Sequence, residues 1–191
     1  MNTEVGGESV KPYQPDNVWE VVAMKDSNTR FYTRDAGGKL YRRSMYTLWK
    51  RSAPPASMDI FNAPTREQCT VRRDRTNTPL QALVTMNDPQ FVESARALAQ
   101  HALVQAHGNL DREIDFMADQ LLARRFEARE REVVAKSYRD YMTYYDSRLQ
   151  DAAKLLSVGE SKADASLPKA KFAALTMVAN ELLNLDEVLV K

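Results

Sequence analysis

Arginine side chains that gather between positions 42 and 75 are the residues best suited to chemistry in this sequence. From Arg42 to Arg75 there are eight Lys or Arg and three Asp or Glu, a local excess of five positive charges. A guanidinium offers a planar fork of N–H donors that fits carboxylate or sulfate oxygens. The side chains that could converge on an anion are Arg42, Arg43, Lys50, Arg51, Arg72, Arg73 and Arg75. The alternative is that these cations brace loops by donating to backbone carbonyls and nearby acids.

Four amide and carboxylate side chains form a second candidate site around two abrupt helix starts. They are Asn77, Gln81, Asn87 and Asp88. Side chains of these types can bind sugar hydroxyls, and the free N–H groups at a helix start favour an anion. Asn and Asp also satisfy backbone groups in tight turns, which is the competing structural interpretation.

Aromatic residues are concentrated in the first quarter of the chain, beside the basic stretch. They are Trp19, Phe31, Tyr32, Tyr41, Tyr46 and Trp49. Aromatic rings next to polar groups suit carbohydrate stacking, and Trp49 therefore joins the candidate ligand-binding residues. The same rings also suit the core of a small unit that lacks long helices.

No residue pattern in the sequence predicts a catalytic group, a metal site or a cofactor bound by this chain. His101 and His107 are six positions apart, so they lie on different faces of a helix and do not form a metal-binding pair. Cys69 belongs to no CxxC or CxxCH motif, and GxSxG, HExxH and phosphate-binding glycine loops are absent. We expect Cys69 to be buried and inert, because free cysteine packs as a small hydrophobe.

The four polar side chains lie at two helix starts that share the same sequence pattern. Thr78 is suited to cap a helix whose first residue is Pro79, because proline lacks only an N–H that would have no partner there. That helix is predicted to end at Asn87, in a left-handed turn that most residues resist. Asp88 then caps a second helix, which runs from Pro89 to about Ala106.

Helical periodicity continues almost to the end of the chain. We expect Asp111 to cap a further helix, and residues 128–149 to form another. The inward stripe of that helix is predicted to contain Val133, Val134, Tyr138, Tyr141, Met142 and Tyr145. After a polar connection, Pro168 begins a last helix. The predicted fold class is therefore mainly α, with a bundle of four or five helices from Pro79 onward.

The N-terminal quarter is predicted to be irregular, with at most a small β-sheet. Gly6, Gly7, Pro12 and Pro15 disfavour regular structure in its first 16 residues, and Val18–Met24 fits either a helical turn or a strand. Phe31–Thr33 is a candidate strand of a small hairpin. The segment Leu40–Ser52 is open between helix and strand, because Tyr41, Met45, Leu48 and Trp49 fit one face of a helix, but Ser44–Trp49 favours a strand.

Several motifs, in this order along the chain, resemble a known family. They are GGESVKPYQP, LYRRSMYTLWKRSAPP, FNAP, RTNTPLQALVTMNDPQFVESARALA and VANELLNLDEVLVK. Together they resemble the PSD-type planctomycete domain of unknown function (DUF1553), which usually has Asp where this chain has Asn62. The resemblance implies the C-terminal part of a large protein that is exported to the periplasm or cell envelope. It also implies an upstream domain as partner, and a cytochrome c-like domain with haem c elsewhere in the parent.

The length suits one domain, residues 1–191, divided into a loop-rich basic and aromatic segment (1–78) and a helical bundle (79–191). The net charge of +1 and the lack of a recognition motif disfavour nucleic acid, and no apolar run is long enough for a membrane span. We expect a non-catalytic binding or structural module that contacts an anionic or carbohydrate ligand, such as a polysaccharide. The alternative is the substrate-contacting part of a haem-linked extracellular oxidase or polysaccharide-processing protein.

Overall fold

Helices supply nearly all the regular structure in the computed structural model, which describes residues 2–190. Within these residues β pairing is limited to three isolated bridges, Asn2–Arg42, Val10–Thr47 and Lys50–Ala53. The predicted mainly α fold is therefore confirmed. The chain divides into two units, Met1–Thr76 and Asn77–Lys191, close to the predicted subdivision after residue 78. That the chain folds as one domain stays a prediction.

The first unit contains two short α-helices, α1 (Val18–Val22) and α2 (Ala56–Ile60), and two 3₁₀ turns, Gly37–Tyr41 and Ser44–Tyr46. The strand predicted for Ser44–Trp49 is wrong. Its first half is a 3₁₀ turn, and only Thr47 pairs with a neighbouring segment, at Val10. Pro12 follows two residues after Val10 and has no N–H to donate, so a longer ladder cannot form there.

The hairpin strand predicted at Phe31–Thr33 is also absent from the described residues. Side-chain bonds hold this segment instead of a ladder. The Tyr32 hydroxyl donates to the Pro12 carbonyl at 2.6 Å, and Asp35 accepts from the Lys11 N–H at 2.7 Å. The aromatic content that suggested a strand therefore serves individual contacts.

The second unit is a helical bundle with seven helices in its described residues. They are α3 (Pro79–Asn87), α4 (Pro89–Ala106), α5 (Leu110–Leu122), α6 (Ala128–Asp146), α7 (Leu149–Leu156), α8 (Lys169–Leu183) and α9 (Asp186–Leu189). This number exceeds the predicted four or five for two reasons. The predicted helix 128–149 ends early at Asp146, because Arg148 leaves the helical conformation, and α9 adds a turn after α8.

The core of the second unit is built around α8, which packs against α3, α4, α5, α6 and α7. Side chains such as Phe172, Leu175 and Val178 are almost fully buried. On α6, Val134 and Tyr145 are buried as predicted, but Val133 is exposed by 65%. Val133 lies about 100° around the helix from Val134, which places it outside the inward stripe.

Both proline-led helix starts are confirmed, with their caps. The Thr78 hydroxyl accepts from the Gln81 N–H at 3.2 Å, and the Gln81 side chain accepts from the Thr78 N–H at 2.9 Å, which completes a capping box. Asp88 accepts from the Gln90 N–H at 2.8 Å. Asn87 is helical, so its predicted left-handed turn is wrong, and its amide donates to the Leu83 carbonyl.

The cap of α5 differs from the prediction by two residues. Asn109, and not Asp111, accepts from the N–H of Arg112 at 3.0 Å. Asp111 lies in the first turn, where a carboxylate also favours the positive end of the helix dipole. The left-handed conformation at the end of α4 belongs to His107 and Gly108.

Loss of either cap should lower the stability of the second unit. The substitution Thr78→Ala in α3, or Asp88→Ala in α4, removes the hydrogen-bond acceptor that caps the first turn of that helix. Each loss lowers the free energy of unfolding by about 0.5–2 kcal/mol. We expect this fall in the free energy of unfolding in urea titrations followed by helical circular dichroism. Ser94→Ala is the matched control, because the exposed Ser94 hydroxyl donates back to Gln90 within α4 and caps nothing. An equal loss in the control would contradict the capping account.

A cluster of charged side chains ties the loop between α5 and α6 to α9. Arg124 donates two bonds of 2.8–2.9 Å to Glu130 and two of 2.8–3.0 Å to Glu187. The bond from Arg124, together with the Glu127 N–H, lowers the pKa of Glu130 from its usual 4.5 to about 2. The carboxylate form of Glu130 is therefore favoured by the fold.

This lowered pKa predicts a defined pH dependence. The pKa of Glu130 is lower in the folded state than in the unfolded state. Its contribution to the free energy of unfolding is therefore complete above pH 4.5 and is lost as the pH falls toward about 2. We expect Glu130→Gln to be less stable than wild type at neutral pH and to lose less further stability between these pH values. The measurement is the urea midpoint at a series of pH values, with exposed Glu132→Gln as the control. Parallel stability profiles for wild type and Glu130→Gln would contradict this pH dependence.

Candidate functional site

Contacts between cations and aromatic rings recur throughout the first unit. Its buried apolar side chains are few: Val10, Trp19, Leu40 and Ala53 among the described residues. Cationic groups lie 3.8–5.3 Å from aromatic ring centroids in five pairs. The pairs are Arg30–Phe31, Arg34–Tyr13, Arg42–Tyr46, Lys50–Trp19 and Arg66–Trp49. Such contacts are attractive because the ring face carries partial negative charge.

Two of the predicted ligand-binding arginines brace loops in the first unit. Arg42 donates to the carbonyls of Glu4, Gly6 and Glu8, and its guanidinium lies 3.8 Å from the centroid of the Tyr46 ring. Arg73 donates to the Phe61 carbonyl at 3.2 Å. The donors of these side chains are therefore at least partly used by the fold.

A third bracing residue, Arg66, was not among the predicted site residues. It donates to the carbonyls of Thr47, Ser44 and Met45 at 3.0–3.5 Å, and it covers the Trp49 ring at 5.1 Å. Arg66 has a positive φ of 63°, which is uncommon for a residue with a side chain. Its place just after the turn at Asn62–Pro64 is the only sequence signal that would have suggested this role.

The remaining predicted arginines are exposed. The side chains of Arg43, Arg72 and Arg75 form no hydrogen bond or ion pair with any residue in the 2–190 range. Arg51 makes one loose ion pair with Glu67, at 3.6 Å, and both side chains are mostly in solvent. Of Arg72, Arg73 and Arg75, only Arg73 donates to a backbone carbonyl, so the bracing interpretation does not hold for the other two.

The reason lies in the course of residues 64–76, which we call the exposed segment. Every residue in it is exposed and none lies in a helix or strand. From this segment Arg66 and Arg73 reach backbone carbonyls, whereas Arg72 and Arg75 reach none within residues 2–190. The same exposure makes the prediction for Cys69 wrong: its thiol is exposed and not buried. Val71 is likewise fully exposed.

The predicted polar set lies in the second unit, and each member has an intramolecular partner. The Asn77 amide donates to the Asp186 carboxylate, and Asn87 donates to the Leu83 carbonyl at 2.8 Å. Gln81 completes the capping box of α3, and Asp88 caps α4. Burial raises the pKa of Asp88, while the bond from the Gln90 N–H acts in the opposite direction. Binding of sugar by this set stays a prediction.

Sequence reasoning missed an inverted pattern of burial on α3. Gln81 and Thr85 are buried, and we call them, with Asn180 and Asn184, the polar seam. The Thr85 hydroxyl donates to the Asn184 side-chain oxygen at 2.9 Å, and the Asn180 amide donates to the Thr85 carbonyl at 3.0 Å. Leu80, Leu83 and Met86, which we call the α3 apolar stripe, face solvent.

A buried ion pair in the second unit was also missed, and it serves the fold. Arg96 donates to the carbonyls of Leu156 and Val158 at 2.6–2.9 Å, which ends α7. Glu93 accepts from the N–H and hydroxyl of Ser161 at 2.5–2.6 Å. Because each charge has several partners, the pair holds the loop after α7 and leaves no free acid or base for chemistry.

Residues 2–190 contain neither a metal-binding cluster nor a helix that could span a membrane. No group of three or more His, Cys, Asp or Glu side chains is placed to hold a metal ion in this part of the chain. Nor does any described helix have the length and apolar character needed to cross a bilayer.

The division into bracing and exposed arginines predicts different effects of conservative substitution. Arg66→Lys loses the fork that reaches three carbonyls, so it should destabilise the first unit by on the order of 1 kcal/mol. Arg72→Lys should change stability little. Both tryptophans, Trp19 and Trp49, lie in the first unit, so urea unfolding followed by tryptophan fluorescence reports on it. Equal midpoints for the two variants would refute the division.

Comparison with known proteins gives one family. A sequence profile described as PSD1, protein of unknown function (DUF1553), matches residues 1–138. This range contains the whole first unit and extends into α6. No curated protein and no solved structure matches the chain. Because the profile spans well over half of the sequence, this chain belongs to the PSD1 family of proteins of unknown function (DUF1553).

Proposed function

We propose that the chain is a non-catalytic binding module whose first unit takes an acidic polysaccharide. The observation that carries the proposal is the pair of exposed guanidiniums, Arg72 and Arg75, which the fold does not use. Arg43 is a third exposed cation of the same unit. A cation that neither braces a loop nor pairs with an acid remains able to bind an external anion.

The charge distribution supports the same unit. Residues 1–76 contain 13 Lys or Arg and nine Asp or Glu, a net charge of +4. Residues 77–191 contain 14 Lys or Arg and 17 Asp or Glu, a net charge of −3. The near-neutral total therefore conceals one basic and one acidic unit. Long-range attraction of an anion is expected to favour the first unit.

The exposure of the segment favours a polymer over a small enclosed ligand. Each solvent-exposed ion pair contributes only about 0.2–1 kcal/mol, because water screens it. A single carboxylate on Arg72 or Arg75 would therefore bind weakly. A chain with repeated carboxylates or sulfates engages several arginines at once and adds these small terms. The planar guanidinium forks suit both oxyanions.

The exposed segment is better suited to binding than to catalysis. A general acid or base acts from a fixed position within hydrogen-bond reach of its substrate. The cations of the exposed segment that the fold leaves unused, Arg72 and Arg75, offer planar forks of donors that suit the binding of an oxyanion. We include in the proposal the setting that the family resemblance implies, an exported parent protein with an upstream domain. A haem-linked oxidase would use the same contacts, with the reaction in another domain.

The proposal predicts that charge at two positions controls affinity. We expect Arg72→Gln with Arg75→Gln to weaken binding of polygalacturonate by about 2- to 30-fold at low ionic strength, the sum of two weak ion pairs. The control is Arg125→Gln with Arg129→Gln, which removes the same net charge from exposed positions of the second unit. Binding is measured by isothermal titration calorimetry at two salt concentrations, and it should weaken as salt rises.

Three results would count against this function. Equal losses in the two double variants would show a dependence on total charge only. Binding of neutral dextran with the same affinity would show that charge is not the basis of recognition. No binding of polygalacturonate or heparin to the wild-type chain at low salt would remove the proposal altogether.

A further inference from the structure

We propose that the α3 apolar stripe is a docking surface for a cationic amphipathic helix of a partner protein. The stripe consists of Leu80, Leu83 and Met86, exposed by 55%, 58% and 46%. Their spacing of three residues places them along one side of a helix.

The exposure of the stripe is built into the fold. A roll of α3 about its axis would bury the leucines and expose Gln81 and Thr85. It would also break the bonds of Thr85 to Asn184 and Asn180 and leave buried amide groups without partners. An unpaired buried polar group costs about 1–3 kcal/mol, so the polar seam fixes which face of α3 meets solvent.

Charge around the stripe selects the partner. No Lys or Arg occurs between residues 76 and 95. Asp88 follows the last turn of α3, and Asp186 accepts from Asn77 just before the first turn. Glu187, which follows Asp186, shares the single cation Arg124 with Glu130, so these three side chains add no positive charge. The stripe therefore runs for about 9 Å along α3, at a rise of 1.5 Å per residue from Leu80 to Met86, with a carboxylate near each end of the helix.

A helix that presents apolar side chains with Lys or Arg on either side complements this pattern, and helices commonly bind in this way. A second copy of the chain fits less well. If two stripes packed together in either direction, each carboxylate at an end would face another carboxylate, and like charges repel. The occupant is therefore a cationic partner and not a second α3.

The test uses the full chain and a fluorescein-labelled leucine–lysine peptide patterned as an amphipathic helix. We expect saturable binding by fluorescence anisotropy, and a loss of at least about tenfold in affinity for Leu80→Gln with Leu83→Gln. Both positions are exposed, so circular dichroism should show an unchanged helix content. The matched control, Val133→Gln with Leu149→Gln, changes two exposed apolar residues away from α3 and should bind like wild type.

A leucine–glutamate peptide with the same pattern tests the charge rule and should not bind. Binding of both peptides alike, or equal loss in the control variant, would overturn the proposal. So would unchanged affinity in the α3 variant. Concentration-dependent self-association in sedimentation experiments, abolished by Leu80→Gln with Leu83→Gln, would show that the occupant is a second copy and would also overturn it. These outcomes do not depend on Arg72 or Arg75, so they are separate from the proposed polysaccharide binding.

Discussion

Burial of α8 is the constraint on which the second unit depends. Ten of its 15 residues are buried, so the helix must be surrounded on nearly every side. Four of the ten are alanines, Ala170, Ala173, Ala174 and Ala179, which let neighbouring helices approach closely. A helix enclosed in this way must also satisfy any polar group that it carries. Asn180 does so by donating to the backbone of α3, so the polar seam follows directly from the burial of α8.

The first unit is organised by a different kind of interaction. It has short helices and few buried apolar side chains, so hydrophobic burial alone contributes less there. Arginines take over part of this role, because one guanidinium can reach several carbonyls and also stack on a ring. Arg42 and Arg66 each do both. The unit therefore uses some of its positive charge for structure, and what remains is available for a ligand.

Structural features that depend on neighbouring residues were predictable from the sequence, and features that depend on distant residues were not. The starts of α3 and α4 were predicted because the cap and the proline are adjacent in sequence, as at Thr78–Pro79. The inward face of α3 was not, because Thr85 takes its partner from Asn184, 99 positions away. Periodicity assigns leucine inward by default, and only knowledge of α8 reverses that assignment.

The residue types of the candidate site were predictable, but which of its arginines the fold uses was not. The arginine-rich stretch is visible in the sequence, yet nothing in it distinguishes Arg73, which meets a carbonyl, from Arg72 and Arg75, which do not. Cys69 shows the same limit. Its chemical type predicts burial, but the course of the exposed segment decides the outcome.

The bonds from Arg42 and Arg66 to backbone carbonyls have a consequence for acid tolerance. A bond from a guanidinium to a carbonyl contains no carboxylate, so it does not depend on an ionised acid. Ties of this kind keep their full strength in mild acid. In the second unit, the link from Arg124 to Glu130 and Glu187 depends instead on ionised carboxylates. Acidification therefore weakens ties that hold α9 while it leaves these arginine braces of the first unit intact.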